Sequence, residues 1–404
     1  MLRTILHLDL DTFYVSVERL INSSLQNKPL LVGGISDRGV VAACSYETRT
    51  FGVHSGMSMK IAKELCPEAT VIKGNAGTYS KYSDVVTDII KEKVPVFEKA
   101  SIDEFYADLS GMDKFFGAYT YASELRQQII AETGLPISLG FAQNKIVSKV
   151  ATSEAKPNNQ LKIDSGQEIP FLAPLSVKKI PMVGLKTYQT LRGLGVRYIK
   201  TVQEMPVDAM KSVLGVNGVT IWKRANGIDN TPVIAFSERK SISTERTFDR
   251  DTIDVHKLRH ILIAMTENLS YQLRRGNKLS ACITVKIKYS DFNTYSKQLK
   301  IPYTSADHIL IPKILELFEQ LHQKRLLVRL IGIRFSHLVS GNYQINLFDD
   351  TEKQLNLYKA LDLIRDRYGD RSVIRAVAMG SKTIGRIQNP FNGQPPVVLA
   401  HRKE

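Results

Sequence analysis

Apolar and polar positions along the first part of the chain predict an α/β unit. The opening run Thr4–Asp11 is mainly apolar and ends in acids, which predicts a buried strand that delivers carboxylates at its edge. A second strand-like stretch, Pro29–Val32, leads through glycines to Val40–Ala43 and predicts a small mixed element. A third, Ala100–Leu109, carries acids inside an apolar strand. Helical patterns lie between them, at Tyr82–Lys93 and Ala118–Thr133.

After Pro157 the pattern changes to short helical pieces separated by Gly and Pro, with Lys178–Gly184 at the centre. It predicts a small helical domain. The polar, charged stretch Ser237–Ser241 then predicts a linker to a further domain. A last helix is predicted at Lys353–Arg367, ahead of a tail rich in Gly, Pro and Asn.

The region after the linker predicts a separate α+β domain with one basic face. A helix is predicted at Val255–Arg275, followed by alternating strands such as Cys282–Tyr289. Alternation along that strand places Thr284, Lys286 and Lys288 on the face opposite its apolar residues. Such a face would track a DNA backbone without reading its sequence. The alternative is a solvated edge strand whose lysines discourage aggregation.

Charge is the most informative feature of the composition. A chain of 404 residues is typical of about two to four domains, and 43% hydrophobic with 24% charged residues indicates neither a disordered chain nor a membrane protein. The 55 basic and 40 acidic residues leave +15, which favours a polyanionic partner such as nucleic acid, although a merely basic soluble protein would share this total. Residues 236–340 hold 18 Lys/Arg against 10 Asp/Glu, a surplus of +8, and form a candidate DNA-binding domain.

The three cysteines, Cys44, Cys66 and Cys282, lack the spacing that a zinc site or a disulfide framework would need. A reducing compartment is therefore expected. No apolar run reaches the roughly 18 residues of a membrane span, and the N-terminus enters a strand-like pattern without a signal peptide. These features predict a cytoplasmic protein.

Acids inside apolar strands are costly unless they are paired or bind a metal, so Asp9, Asp11, Asp103 and Glu104 need an explanation. Magnesium is one, because this hard cation takes oxygen ligands and binds through one or two carboxylates plus substrate phosphates. For Asp11, capping of the following helix is the alternative.

Four motifs closely resemble those of the Y-family DNA polymerases, particularly the bacterial DNA polymerase IV (DinB) branch. They occur in the family's order and near its spacing, and the resemblance runs from the N-terminus to about residue 348. The motifs are Asp9–Tyr14, Ser45–Val53, Ser101–Asp108 and Ala155–Asn158.

The resemblance implies a multi-domain α/β and α+β fold like a right hand. It has a palm with a mixed sheet and helices, small fingers, a helical thumb with a helix-hairpin-helix, and an α+β little finger. The implied boundaries are palm 1–10 and 75–164, fingers 11–74, thumb 165–235, linker 236–240, little finger 241–341, and clamp-binding peptide with C-terminal extension 342–404.

The resemblance also implies that Asp9, Asp103 and Glu104 bind two Mg²⁺ ions, with the main-chain carbonyl of Leu10 as a further ligand. Strand alternation would make Asp11 a ligand as well, whereas the family pattern makes it a supporting residue, and we follow the family. The implied reaction is low-fidelity, template-directed transfer of a nucleotide to a primer 3′-hydroxyl during translesion synthesis, with two metals acting on the phosphoryl group.

Further positions take their implied roles from the same motifs. Tyr14 is the steric gate against ribonucleotides, and small residues at Ala42 and Gly56 leave the nascent base pair loosely covered. Ala43 stands where relatives often have a hydroxyl residue, so one hydrogen bond to the phosphates is either missing or supplied by Ser45. The implied nucleotide-binding residues are Phe13, Tyr14, Ser45, Tyr46, Arg49 and Lys156.

Contacts with DNA and with the replication machinery are implied for later segments. Val183 and Gly184 resemble the helix-hairpin-helix turn that offers backbone amides to phosphates, although a simple turn between packed helices is the alternative. Lys286 and Lys288 are the candidate little-finger contacts. Gln344, Leu347 and Phe348 match the short peptide by which bacterial polymerases bind the sliding clamp. The expected partners are primer-template DNA, dNTP and the clamp, and the protein is expected to be a monomer without a membrane.

Two other classes of function remain open from the residues. A nucleotide cyclase shares the palm arrangement but needs neither a basic DNA-tracking domain nor a clamp peptide. A non-catalytic DNA-binding protein descended from a polymerase would not need the three metal carboxylates, all of which are present. No separate exonuclease domain is found, which predicts a polymerase without proofreading.

Overall fold

The computed structural model describes residues 3–112, 117–341, 351–369 and 372–379. Contacts divide the chain into two units, one ending at Ser237 and the next beginning at Glu238. The division falls inside the predicted linker 236–240. Within the described ranges, no helix is both long and apolar enough to cross a bilayer. The three cysteines are buried free thiols.

The first unit alternates strands with helices through residue 162. From there to Ser237 its regular elements are helices, apart from one isolated bridge between Ser176 and Tyr198. Its strands are β1 Ile5–Leu10, β2 Leu30–Gly33, β3 Val41–Cys44, β4 Thr70–Lys73, β5 Val96–Lys99, β6 Glu104–Asp108, β7 Ile137–Ala142 and β8 Gln160–Lys162. Its α-helices are α1 Phe13–Ile21, α2 Tyr46–Arg49, α3 Met59–Leu65, α4 Ala76–Lys93, α5 Ala118–Thr133, α6 Lys145–Ala155, α7 Glu168–Leu172, α8 Leu185–Gly193, α9 Ile199–Glu204, α10 Val207–Leu214 and α11 Val216–Ala225.

A five-stranded sheet of order β5-β6-β1-β7-β8 forms the centre of the first unit. Strand β1 pairs antiparallel with both β6 and β7. Its even positions, Leu6 and Leu8 among them, pack into one core with residues of α4 and α5. Its odd positions face α6, where His7 Nδ1 lies 2.8 Å from the Thr152 hydroxyl. The strand is therefore covered on both faces, which explains its continuous apolar run.

The predicted strand Ala100–Leu109 is wrong at its beginning. Strand β6 starts only at Glu104, because the amides of Ala100 and Ser101 both donate to the Glu104 carbonyl and close a turn. The acids of this segment therefore lie at a turn and at the first position of a strand, rather than in the strand interior.

A smaller sheet of order β3-β2-β4 confirms the predicted mixed element. Strand β2 pairs antiparallel with β3 and parallel with β4. Helix α3 closes its core, which includes Leu31, Val41, Cys44 and Met59. The short helices α7 to α11 pack into one core that includes Leu172, Leu191 and Ile221, and this core continues into β7 and α6 through Ala142 and Val147.

The second unit is an antiparallel sheet covered by helices. Its elements are β9 Ser241–Thr252, α12 Val255–Arg275, β10 Lys278–Tyr289, β11 Thr294–Thr304, α13 Asp307–Leu321, β12 Val328–Ser340 and α14 Thr351–Tyr368. The strand order is β11-β10-β12-β9. The edge-strand alternative for Cys282–Tyr289 is therefore wrong, because β10 is hydrogen-bonded on both sides.

Helix α14, part of the predicted C-terminal extension, packs onto this second unit. Arg274 of α12 lies between Asp307, at 2.8 Å, and Asp362 of α14, at 2.6 Å. The Tyr358 ring of α14 is buried and its hydroxyl accepts a hydrogen bond of 3.1 Å from the His308 amide. A short 3-10 turn at residues 376–378 follows, so the extension contributes to the body of the unit.

Candidate active site

Three acidic residues meet at the ends of two neighbouring strands of the first unit. Asp9 lies opposite Glu104 in the antiparallel register of β1 and β6. The amide of Leu10 donates a hydrogen bond of 3.0 Å to the carbonyl of Asp103, which ties the turn before β6 to β1. The fold thus brings together residues that are far apart in the sequence and were predicted to bind metal.

Burial and mutual repulsion disfavour ionisation of these carboxylates. Burial raises the pKa of Asp9 to about 7, with attraction from Lys156 opposing the shift and repulsion from Glu104 and Asp103 adding to it. Burial also raises the pKa of Asp103, where the Ser101 hydroxyl opposes the shift. Carboxylates clustered in this way require positive charge from side chains or from metal ions.

Two lysines supply positive charge to the cluster. Lys156 Nζ lies 2.6 Å from Asp9 Oδ1, and Lys149 Nζ lies 2.5 Å from Glu104 Oε2. With the side chains held in this way, no three His, Cys, Asp or Glu side chains in the described part of the chain are arranged to hold a metal ion.

The donor set nevertheless fits magnesium by its chemistry. Three carboxylates and the Leu10 carbonyl are hard oxygen ligands of the kind that Mg²⁺ takes. The Asp9 and Glu104 side chains are 14% and 23% exposed, so both can be reached from solvent. Rotation of the two lysine side chains would free these carboxylates. Ser101 holds the third carboxylate, that of Asp103, because its hydroxyl donates a hydrogen bond to this carboxylate. The same hydroxyl accepts a hydrogen bond of 2.9 Å from the Glu104 amide.

Asp11 is enclosed by hydrogen-bond donors. Its carboxylate accepts from the Ser138 hydroxyl at 2.7 Å, the Asn158 amide at 2.6 Å and the Tyr46 hydroxyl at 3.4 Å. Helix α1 has Thr12 at its N-cap, without a side-chain hydrogen bond. The helix-capping alternative for Asp11 is therefore wrong, and its contacts suit a supporting role.

Candidate phosphate-binding groups gather next to Asp11. The Tyr46 hydroxyl and Lys156 Nζ, which lies 3.7 Å from Asp11, both contact its carboxylate. The Arg49 guanidinium lies 4.8 Å from the centre of the Tyr46 ring, and its side chain is exposed. One phenol and two cations are thus available near the carboxylate cluster.

The Ser45 hydroxyl, predicted to bind the nucleotide, is already used by the backbone. Its side chain is fully buried, and its hydroxyl oxygen accepts from the amides of Leu30, at 3.1 Å, and Thr48, at 3.4 Å. The same hydroxyl bonds Glu47 and helps lower the pKa of that carboxyl, against the effect of burial. It caps α2 and cannot replace the hydroxyl missing at Ala43.

The proposed gate residue Tyr14 is stacked on a second tyrosine. Its ring centre lies 4.2 Å from that of Tyr79 on α4, with the planes 15° apart. The Tyr79 hydroxyl donates a hydrogen bond of 2.5 Å to Glu18, which holds the supporting ring in place. Phe13 is buried beside them, 5.6 Å from Tyr14, and serves the core.

The two small residues predicted to lie over the nascent base pair face open space. Ala42 is exposed on β3. A Cβ built on Gly56 would meet no atom within 4 Å, and its φ of +88° favours glycine.

Comparisons with known proteins connect this geometry to a family. Residues 8–153 match the model of the impB/mucB/samB family, and residues 239–347 match its C-terminal domain. A protein of Dehalococcoides mccartyi strain BAV1 named DNA polymerase IV is 37% identical over 376 residues, covering 92% of this chain and 96% of its own length. The DNA polymerase IV of Desulfatibacillum aliphaticivorans is 33% identical, over 91% of this chain and 95% of its own length.

The chain belongs to the DinB-like Y-family DNA polymerases.

Solved structures agree with this assignment. A Y-family chimera of Dbh and Dpo4 shares the fold, with a TM-score of 0.73 at 24% identity, over 84% of this chain and all of its own. An insertion ternary complex of Dbh DNA polymerase has a TM-score of 0.61 at 25% identity with the same coverage. The chain is a DNA-directed DNA polymerase of the translesion class, so the cyclase and the non-catalytic alternatives are set aside.

The segment predicted to form a helix-hairpin-helix turn lies at the start of α8. Val183 is buried, and Gly184 lies at the N-cap of α8 without a side-chain cap. Met182 before it has a φ of +74° and is largely exposed. The amides at the start of α8 therefore have no side-chain cap, as a phosphate-binding turn requires.

The two little-finger lysines lie on the sheet face opposite the helices, as alternation predicted. Lys286 forms an ion pair with Glu245 at 2.9 Å, so part of its charge is already neutralised. Lys288 lies over the ring of Phe292. The clamp-binding prediction, Gln344, Leu347 and Phe348, lies outside the described residues.

Sequence reasoning missed Lys149, Ser101 and Tyr79. A signal existed for Lys149, because Lys145 and Lys149 recur at helical spacing on α6. Both lysines bind acids, and Lys145 Nζ lies 2.7 Å from Glu98. Ser101 begins the motif Ser101–Asp108, but no role was predicted for it. Nothing local marks Tyr79, whose partner Tyr14 lies on another helix.

Proposed function

We propose that this polymerase extends a primer by two-metal nucleotidyl transfer from a dNTP, with release of pyrophosphate. The observation that carries the proposal is the convergence of Asp9, Asp103 and Glu104 at the ends of β1 and β6. When bound there, Mg²⁺ ions would activate the primer hydroxyl and neutralise charge on the triphosphate.

The side chains around this cluster have separate tasks in the proposal. Lys156 leaves Asp9 and, with Arg49 and Tyr46, binds the β and γ phosphates of the incoming nucleotide. An arginine offers a planar fork to phosphate and a lysine a point charge. Asp11 holds the Tyr46 hydroxyl in place through their hydrogen bond of 3.4 Å.

Selectivity for the sugar and tolerance of the base come from different elements. Tyr14, supported by the stacked Tyr79 ring, excludes a 2′-hydroxyl. The open surface at Ala42 and Gly56 places few constraints on the nascent base pair, so damaged templates are accepted and discrimination is weaker.

Primer-template DNA and dNTP are the proposed substrates. Similar structures are titled insertion ternary and post-insertion binary complexes of Dbh DNA polymerase. Backbone amides near Gly184 and the basic face with Lys288 suit sequence-independent phosphate contacts. We propose in addition that the polymerase acts as a monomer in the cytoplasm, binds the sliding clamp through residues 344–348 and has no proofreading exonuclease.

Primer extension tests the site. Asp103→Ala together with Glu104→Ala should abolish extension on an undamaged template, while primer-template binding measured by fluorescence anisotropy stays within about 2-fold. Removal of Mg²⁺ by EDTA should stop the wild-type enzyme. Glu64→Ala, at an exposed acid on α3, is the matched control and should extend normally. Retained extension by the double variant would refute the assignment.

A further inference from the structure

An exposed phenylalanine lies at the tip of the hairpin that joins β10 to β11. The Phe292 side chain is 61% exposed, although a large aromatic residue contributes most to stability when it is buried. Its φ is +65°, in the left-handed region that bulky residues rarely adopt. Strained residues on well-braced loops often mark functional sites.

The hairpin turn is braced without using the ring. The Asp291 carboxylate accepts hydrogen bonds of 2.9 Å from both the backbone and the side-chain amide of Asn293. Backbone bonds join Phe292 to Tyr289 at 3.0 Å and Ser290 to Leu327 at 2.9 Å. The fold therefore holds Phe292 in a strained conformation with its ring in solvent.

Two cations from neighbouring strands lie over this ring. Lys288 Nζ is 4.9 Å and the Arg329 guanidinium carbon is 4.6 Å from the ring centre. Neither has a carboxylate partner among the described residues, and the nearby Asp291 is engaged with Asn293. The tip thus combines an exposed aromatic ring with two cations that no acid neutralises.

This combination matches the chemistry of an unpaired nucleotide. Exposed aromatic rings stack on bases, and cations beside them hold the backbone phosphates. A base inside a duplex is already stacked on both faces and offers none to the ring. The alternative is a structural one, in which the ring only covers the aliphatic stems of Lys288 and Arg329.

We propose that Phe292, with Lys288 and Arg329, forms a stacking site for an unpaired nucleotide of single-stranded DNA. The site lies apart from the carboxylate cluster in the sequence and on the second unit. It deepens the DNA binding of this polymerase by giving the little finger a preference for single-stranded template.

Binding by the full-length protein in EDTA tests the site without catalysis. Phe292→Gly removes the ring and relieves the strain, because glycine readily adopts a positive φ. The thermal midpoint should therefore hold or rise, while affinity for a labelled oligo-dT falls about 5-fold or more. Affinity for a blunt duplex should stay within about 2-fold.

Tyr303→Ala is the matched control, since Tyr303 is 51% exposed on β11 of the same unit. It should leave both affinities unchanged. Unchanged oligo-dT binding by Phe292→Gly, or an equal loss on the duplex, would overturn the proposal.

A spectroscopic readout distinguishes stacking from mere proximity. The chain contains one tryptophan, so Phe292→Trp adds a single reporter, and stacking of bases on it should quench its fluorescence as oligo-dT is added. Tyr303→Trp should show little quenching, and equal quenching of the two would count against the site. Primer extension by Phe292→Gly at saturating primer-template should match the wild type, so failure of this proposal and failure of the two-metal proposal are distinguishable.

Discussion

Gly140 on β7 lies where the central sheet of the first unit closely approaches helix α6. A Cβ at this position would lie 2.0 Å from the carbonyl oxygen of Ser148 and 2.5 Å from the amide nitrogen of Thr152. Ordinary contact begins at 3.4 Å, so Gly140→Ala requires α6 to retreat by about 1.4 Å. Both neighbours are backbone atoms, which cannot rotate away as a side chain could.

The retreat should affect both stability and activity. Overpacking of a well-packed core costs about 1–3 kcal/mol, and in a unit of this size each kcal/mol lowers the thermal midpoint by roughly 2–4 °C. We therefore expect a fall of about 2–12 °C. Helix α6 carries Lys149 and leads into Lys156, so primer extension should also slow at temperatures where the variant remains folded.

Scanning calorimetry of the full-length protein, with primer extension at 25 °C, checks this expectation. Gly193→Ala is the matched control, because a Cβ there meets no atom within 4 Å and its φ is not positive. That variant should melt within about 1 °C of the wild type. If Gly140→Ala melted together with Gly193→Ala and extended primers normally, the inferred contact would be refuted.

Two other substitutions test packing that the sequence did not reveal. Tyr79→Ala removes the ring stacked on Tyr14, so the ratio of ribonucleotide to deoxynucleotide incorporation should rise several-fold. The control Tyr79→Phe should keep a ratio near that of the wild type. An unchanged ratio in the alanine variant would contradict a positioning role for Tyr79. Arg274→Met removes the buried cation that Asp307 and Asp362 share, although Asp362 keeps a second ion pair with Arg365 at 3.3 Å. The loss should cost about 3–5 kcal/mol in denaturant unfolding. Hydrogen exchange should then show lost protection across residues 351–368, and full protection there would argue against the docking.

Elements with a strong local period were predictable, and turns closed by local hydrogen bonds were not. Helix α12 has the predicted bounds Val255–Arg275, because its apolar stripe and the terminal Gly276 both appear in the sequence. The segment Ala100–Asp103 was wrongly predicted to be part of a strand, because its composition resembles that of β6. This segment forms a turn because the amides of Ala100 and Ser101 both donate to the Glu104 carbonyl. The pattern of apolar and polar residues does not reveal such a contact.

The candidate active site was also predictable only in part. The acids Asp9, Asp103 and Glu104 could be singled out because buried carboxylates are rare and because the motifs matched a family. The lysines that pair with these acids could not be predicted, because the distance from Lys149 to Glu104 depends on how α6 crosses the sheet. The role of Ser45 could not be decided from the sequence, because its hydroxyl could serve either a phosphate or a helix N-cap. The fold shows that backbone amides already use this hydroxyl.

The docking of α14 changes what a shortened form of this polymerase would be. From the sequence, a truncation after β12, at residue 341, would be expected to remove only a tail. It would in fact strip Arg274 of its partner Asp362, uncover the site filled by the Tyr358 ring and take Ala378 out of the core of the second unit. Expression designs that end the little finger at its last strand should therefore yield a less soluble fragment than designs that continue to residue 379.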